Sequence, residues 1–154
     1  MDDEREELIA SVGAAIRGCQ RAADAVDDAV ATRFGINRTD LRHLDLLLGG
    51  PLSAGQLSDR SGLSPAAMTA LIDRLERKGY VRRVRDMADR RRVFVELTEA
   101  ARDAAEALYG PLVRDGVALL GGYTDDQLAM MRDFLCADRK LNERHHLRIR
   151  SISG

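Results

Sequence analysis

Apolar residues recur every three or four positions near the start of the chain, which is the period of an amphipathic α-helix. The pattern predicts one long helix that runs to about Arg33 and stops at Gly35, with an apolar face of Leu8, Val12, Ile16, Cys19, Ala23, Val26, Val30 and Phe34. Such a helix is roughly 40 Å long, which exceeds the needs of one compact core. We therefore expect much of this face to pack against a partner subunit.

A second, shorter helical pattern covers Asp40 to Leu48. Thr39 is its expected N-cap, because a hydroxyl can accept a hydrogen bond from the first free N–H groups of a helix. Gly49, Gly50 and Pro51 end the pattern. The expected inward face is Leu41, Leu44 and Leu48.

Two further helices follow, separated by a tight turn. Ser53 and Gln56 have the spacing of a capping box, and the helix that they open closes at Ser61-Gly62. Ser64 caps the next helix, with Pro65 at its first position and Gly79 as its stop. Its inward stripe is Met68, Leu71, Ile72 and Leu75. Two helices joined by a short turn with a glycine predict a helix-turn-helix.

A β-hairpin and two more helices complete the pattern. Strand-like segments at Tyr80 to Val84 and Val93 to Leu97 flank a polar loop, Arg85 to Arg92, and we call this hairpin the wing. Thr98 is expected to cap a helix to about Leu120, kinked at Gly110-Pro111. Thr124 with Gln127 repeats the capping-box spacing for a last helix toward residue 148, whose apolar side is Leu128, Met131, Leu135 and Leu141.

The predicted fold class is therefore mainly α: a winged helix-turn-helix with long N- and C-terminal helices. The chain has 154 residues and a formal net charge of −1. This near-neutral total conceals a basic segment from Arg74 to Arg92, which holds nine cationic and three acidic side chains, a formal +6. Because phosphate affinity depends on clustered charge, the segment favours nucleic acid as the partner.

Other classes of protein lack support in the sequence. No apolar run reaches the roughly 18 residues of a membrane span, and the acidic start differs from a signal peptide, so we expect a cytoplasmic protein that does not bind membranes. Cys19 and Cys136 have no metal-site or disulfide spacing. We find no paired carboxylates, nucleophile constellation or phosphate loop, so we expect neither an enzyme nor a cofactor or metal.

The second helix of a helix-turn-helix is the recognition helix, whose first turns meet base edges in the major groove. Its small, apolar tip can contact thymine methyl groups but offers no bidentate guanine contact, so direct readout is expected to be modest. The candidate contacts on this helix are Ser64, Pro65, Ala66, Ala67, Thr69, Arg74 and Arg77, the two arginines being placed for the backbone. Ser53 and Gln56 are further candidates for the DNA backbone.

The wing supplies the second candidate contact. Consecutive arginines in a loop are often only a solvated surface, but on a hairpin after a helix-turn-helix they favour insertion of an arginine into the minor groove. Asp89 would repel phosphate, so we expect it to pair with a neighbouring arginine and hold the tip in shape. The wing candidates are Arg85, Asp89, Arg90, Arg91 and Arg92.

These residues together resemble the MarR family of bacterial transcription regulators over nearly the whole chain. The resemblance is carried by Leu57, Gly62-Leu63-Ser64, Met68-Thr69, Leu71-Ile72, Leu75-Glu76, Gly79, Asp89-Arg90-Arg91, Val95 and Leu97-Thr98. It implies one domain over 1–154, with dimerisation helices at about 1–34 and 111–148, a winged helix-turn-helix at about 39–98 and a connecting helix at about 98–120. It also implies an obligate homodimer on a palindromic double-stranded operator, with Arg91 in the minor groove and Asp89 as its organiser.

The resemblance further implies a repressor that a small-molecule effector, often aromatic or phenolic, releases from DNA. The effector would bind in a cleft between the dimer helices and the DNA-binding lobe. Candidates for that cleft are Arg17, Arg42, His43 and Tyr109, although a solvent-facing His43 is favoured over a ligand-binding one.

Three alternatives remain open at this point. Some family members sense oxidants through a first-helix cysteine, but Cys19 falls on the apolar stripe without nearby cations to activate its thiol, which favours a core cysteine. His145 and His146 with Glu143 could suggest a metal, but adjacent histidines on a helix point to different sides, so a solvated tail is favoured. A winged helix used only for protein contacts would show negligible duplex binding.

Overall fold

The computed structural model describes residues 3–87, 89 and 91–152. Their elements, in chain order, are α1 (Asp3–Phe34), α2 (Arg38–Leu48), α3 (Ala54–Ser61), α4 (Pro65–Arg77), β1 (Val81–Arg85), β2 (Val93–Leu97), α5 (Glu99–Leu120) and α6 (Asp125–Ile152). The chain forms two compact units, one ending at Leu108 and the other beginning at Tyr109. The fold class is the predicted one: mainly helical, with a small antiparallel sheet between α4 and α5.

The first unit has a core built where α2, α3 and α4 meet the hairpin. The predicted inward stripe of α4 is confirmed, since all four of its members are buried: Met68, Leu71, Ile72 and Leu75. Leu57 of α3 and Leu47 of α2 are each 1% exposed and belong to the same cluster. Helix periodicity places these side chains on one side of each helix, so their burial fixes how the three helices lie against one another.

The hairpin pairs β1 with β2 in the register Val81↔Leu97 to Arg85↔Val93. The first strand begins one residue later than predicted, and the second has the predicted bounds. Leu52 forms an isolated antiparallel β-bridge with Val95 of β2. The N–H of Leu52 donates to Val95 O at 3.0 Å, and the N–H of Val95 donates to Leu52 O at 2.8 Å. The base of the wing is therefore tied to the segment that precedes α3.

The local signals for helix ends are confirmed at most positions. Ser53 and Gln56 form both bonds of the capping box, at 3.2 and 2.8 Å. Gly62 closes α3 with a φ of 72°, a left-handed conformation that suits glycine. Thr98 and Thr124 accept the expected N–H bonds at the starts of α5 and α6.

The prediction for α2 was wrong in its cap and in part of its face, since Leu44 alone of its three predicted inward residues is buried. The helix begins at Arg38, and Asn37 is the N-cap, its Oδ1 accepting the N–H of Asp40 at 2.8 Å. Thr39 therefore lies inside the helix. The buried face is Asp40, His43, Leu44 and Leu47, whereas Leu48 is 50% exposed and Leu41 is half-buried. The run of leucines is compatible with more than one inward face. The face that is buried includes the polar side chains of Asp40 and His43, which a prediction from apolar residues alone does not select.

The first helix buries only its last turns within the single chain, at Val30, Ala31 and Phe34. The rest of its predicted apolar face is open, with Leu8 64% and Val12 42% exposed. Cys19 is exposed too, so the expectation of a core cysteine was wrong for the single chain. The helices of the described ranges include none that is long and apolar enough to cross a membrane.

Candidate nucleic-acid interface

The tip of the recognition helix, α4, faces outward. Ser64 accepts the N–H of Ala67 at 3.3 Å and so caps the helix, with Pro65 at its first turn. Because the apolar stripe of α4 packs into the core, the opposite side of the helix faces solvent. The exposed candidates on this side are Ser64, Pro65, Ala66, Ala67, Thr69 and Arg77. This surface is small and largely uncharged at its N-terminal end, as the sequence predicts.

Ser53 and Gln56 lie at the start of the helix that precedes the turn. Their side chains bond to each other's backbone N–H groups in the capping box. The structure therefore gives both residues a role in capping the N-terminus of α3, and their contact with the DNA backbone stays a prediction.

Arg74 is engaged by a partner within the chain. Its Nε lies 3.0 Å from Asp40 Oδ2, and its Nη2 lies 2.5 Å from Asp40 Oδ1. Asp40 is only 1% exposed, while the side chain of Arg74 is 38% exposed. The hydrogen bond to Asp40 raises the pKa of Arg74 above its ordinary value. The expected role of Arg74 at the DNA backbone thus competes with a structural one, because the guanidinium is what keeps a buried carboxylate satisfied.

Asp40 was missed by the sequence analysis. It was assigned to the start of a helix, where an acidic residue has an ordinary explanation in the helix dipole. Its partner is 34 residues away, and no local spacing signals a contact at that separation.

Two arginines of β1 are also paired with carboxylates. Arg83 lies 2.5 Å from Asp73 Oδ1 and also bonds to Glu76, both of them on α4. Arg82 pairs with Glu96 across the hairpin at 2.6 Å. The effective positive charge of the basic segment is therefore smaller than its formal +6, since several of its cations are neutralised locally.

The wing tip is folded by the carboxylate and carbonyl of Asp89. Its Oδ1 accepts the backbone N–H of Arg91 at 3.0 Å, and its carbonyl accepts the N–H of Arg92 at 2.9 Å. The guanidinium of Arg92 lies over the ring of Phe94, 5.2 Å from its centroid. Asp89 thus organises the tip through the backbone of Arg91. The expected pairing of its carboxylate with a neighbouring arginine side chain stays a prediction. Arg90 lies outside the described residues.

Several described cations of the basic segment are exposed without a local ion pair, among them Arg77 and Lys78 at the end of α4. In the part of the chain that the structure describes, Arg85, Arg91 and Arg92 are exposed and form no salt bridge. Unpaired, solvated guanidinium groups are those that can exchange water and counterions for phosphate. The wing therefore presents three cations that can bind phosphate, beside the exposed Arg77 of the recognition helix.

The candidates for an effector site differ in their exposure. His43 is 2% exposed, so the favoured expectation of a solvent-facing side chain was wrong. Its Nδ1 lies 2.6 Å from the carbonyl of Thr39, and its buried Nε2 has no hydrogen-bond partner among the described residues. Arg17 and Arg42 are exposed in the first unit, whereas Tyr109 is half-buried in the second. Over the same described ranges, no group of three metal-binding side chains occurs.

Known proteins resemble this chain in both sequence and fold. A family model described as MarR family matches residues 34–92, which contain the helix-turn-helix and most of the wing. The uncharacterized HTH-type transcriptional regulator YcgE of Bacillus subtilis (strain 168) is 39% identical over 108 residues, 70% of each chain. A second uncharacterized HTH-type transcriptional regulator of that organism, YwaE, is 30% identical over 131 residues, 84% of this chain and 75% of its own.

Comparison with a solved structure indicates the same family. A MarR family protein from Bacillus stearothermophilus superposes with a TM-score of 0.62 at 27% identity, covering 94% of this chain and 97% of its own. The recognition helix, the wing and these similarities lead to one conclusion: the chain belongs to the MarR family of winged-helix, DNA-binding transcriptional regulators.

Proposed function

We propose that the protein is a homodimeric repressor that binds a palindromic operator and leaves it when a small-molecule effector binds. The observation that carries the proposal is the wing, where Arg85, Arg91 and Arg92 are exposed and unpaired among the described residues beside an outward-facing recognition helix. A helix sized for the major groove next to a basic hairpin is the arrangement by which one subunit contacts one half-site.

The exposed apolar positions support the homodimer. In the single chain, α1 leaves Leu8, Ile9 and Val12 at least 42% exposed, and no described residue of α6 is buried. Apolar side chains repeated along two long helices are costly to leave in water, at roughly 25 cal/mol per Å². A second copy of the chain covers such faces, and its two-fold symmetry matches a palindromic operator.

The buried side chain of His43 supports the proposal that a small-molecule effector binds. A buried ring nitrogen without a partner is unfavourable, because burial removes its hydrogen bond to water. With Nδ1 directed at the carbonyl of Thr39, the Nε2 lone pair is an acceptor suited to a hydroxyl donor, such as a phenol. The effector acts as a release signal only if it binds the DNA-incompetent dimer more tightly.

Selection of duplexes from a random-sequence pool by the purified protein tests the function. We expect enriched sequences with two inverted half-sites whose centres are about 10 base pairs apart. A promoter that carries such a sequence should be less active in a reporter cell when the protein is present. Failure to enrich any duplex would reject DNA binding, and an unpaired half-site would reject the dimeric mode.

A thermal-shift screen of small phenols tests the effector, since a ligand that prefers the folded dimer raises its Tm. A compound that fits the proposal raises the Tm of the wild type, releases the selected duplex, and has a weaker effect on His43→Ala. Tm shifts without release of DNA would contradict the proposed effector mechanism.

A further inference from the structure

Arg83 joins the wing to the recognition helix through three hydrogen bonds. Its guanidinium bonds to Glu76 and, at 2.5 Å, to Asp73 Oδ1. Its backbone N–H donates to Glu76 Oε1 at 3.1 Å. Asp73 and Glu76 are three residues apart on α4 and so lie on the same side of the helix. One residue of β1 therefore bridges two positions of the recognition helix.

The charge of this cluster argues against a phosphate contact by Arg83. One guanidinium faces two carboxylates, so the cluster as a whole is negative and does not attract a phosphate. The hydrogen bond to Asp73 raises the pKa of Arg83, in keeping with a cation held by its anionic neighbours. Arg83 differs in this respect from Arg85 and Arg91, which lack such partners among the described residues.

Arg83 lies at the base of the wing, where it can set the position of the wing tip. It pairs across the hairpin with Val95, which is buried and bonded on its other edge to Leu52. The strand ends two residues later, at Arg85, where the wing loop begins. A change in the angle between β1 and α4 at this point moves the whole tip, including Arg91.

We propose that Arg83 is a positioning residue for operator binding, which holds the wing against the recognition helix so that both reach their grooves in one half-site. The inference rests on the proposed function, because it requires both elements to contact the same duplex. Two contacts that are held at the correct separation bind with a smaller entropic cost than two that move independently.

Glu76→Ala tests the proposal because two explanations predict opposite signs. Electrostatics alone predicts tighter binding, since the variant removes a negative charge near DNA and leaves Arg83 with one carboxylate partner in place of two. The positioning role predicts binding weakened by about fivefold, the scale of a lost surface ion-pair network. Binding is measured by fluorescence anisotropy with the duplex that the wild type selects from a random pool.

Glu96→Ala is the matched control. It removes a carboxylate that pairs with Arg82, the neighbouring residue on β1, through a contact that lies within the wing. We expect it to bind the duplex as tightly as the wild type or more tightly. Circular dichroism and urea unfolding of each variant establish that the protein compared is folded.

A double-mutant cycle separates positioning from a general loss of structure. In an Arg91→Ala background the wing has lost its expected minor-groove contact, so Glu76→Ala should have a smaller further effect than in the wild type. An equal loss in both backgrounds, or a Glu76→Ala variant that binds as tightly as the wild type, would overturn the positioning role alone. A wild type that selects no duplex would overturn the proposed function, and the positioning role with it.

Discussion

Asp40 and Arg74 form an asymmetric pair, with one partner buried and the other partly in water. The carboxylate is 1% exposed, and the guanidinium side chain is 38% exposed. Removal of one partner or of the other therefore leaves the remaining charge in a different environment. An arginine released from Asp40 can be hydrated where it stands, but a carboxylate released from Arg74 is left in the core.

The two substitutions should consequently differ in cost. We expect Arg74→Met, which keeps the aliphatic stem, to lower the free energy of unfolding by about 3 kcal/mol. Asp40→Asn, which keeps the shape and removes the charge, should lower it by only about 1 kcal/mol. Urea unfolding of both variants measures the difference. Equal costs, or a larger cost for Asp40→Asn, would show that the pair is not held as the structure indicates.

At the residue scale the sequence predicted exposed candidates better than buried ones. The outward side of α4 follows from its apolar stripe, because the stripe leaves only one side for DNA. The burial of Asp40 and His43 could not be predicted, since each depends on neighbours brought by other parts of the fold. The organising role of Asp89 was predicted, but its bond to the backbone N–H of Arg91 depends on the exact turn.

Among the secondary-structure elements, helix ends were predicted correctly where the capping residues lie close together in the sequence. The capping boxes at Ser53 and Thr124 need only a hydroxyl and a glutamine three residues later, so they are visible in the sequence. The cap of α2 was missed because Asn37 and Thr39 are both good candidates, and the fold selects the earlier one. Local propensity thus located the helix but not its first turn.

The turn of the helix-turn-helix gives a prediction of its own. Gly62 has a φ of 72°, so we expect Gly62→Ala to lower the free energy of unfolding by about 1 kcal/mol. Gly55 is the matched control within α3, since a Cβ there meets only Ser53 Oγ at 3.8 Å. Gly55→Ala should raise stability by up to about 1 kcal/mol. Guanidinium chloride unfolding compares the two, and a reversal of their order would contradict the described turn.

At the scale of the whole molecule, the exposed apolar side of α1 marks where a second copy is expected to pack. This followed from the length and period of the helix in the sequence. The sequence did not reveal that Cys19 is uncovered in the single chain, because a stripe shows which residues share a face and not what covers it.

A charge on that face should weaken the dimer. We expect Val12→Asp to shift the protein toward monomer in sedimentation velocity, because a carboxylate at a buried apolar contact has no partner there. Ala14→Asp places the same charge about 200° away around the helix and serves as the control. Val12→Asp should also bind the selected duplex more weakly. A variant that remains dimeric would exclude this part of α1 from the interface.

The most direct test of DNA binding through the wing is the salt dependence of duplex affinity for Arg91→Ala. We expect affinity to fall by about tenfold or more, and the slope of log K against log salt to become shallower by about 1 for each subunit, since each wing loses a cation at the DNA. Arg82→Ala removes the same charge from a paired arginine of the same hairpin and should change both quantities little. If Arg91→Ala left both the affinity and the slope unchanged, the wing would not be the element that binds DNA.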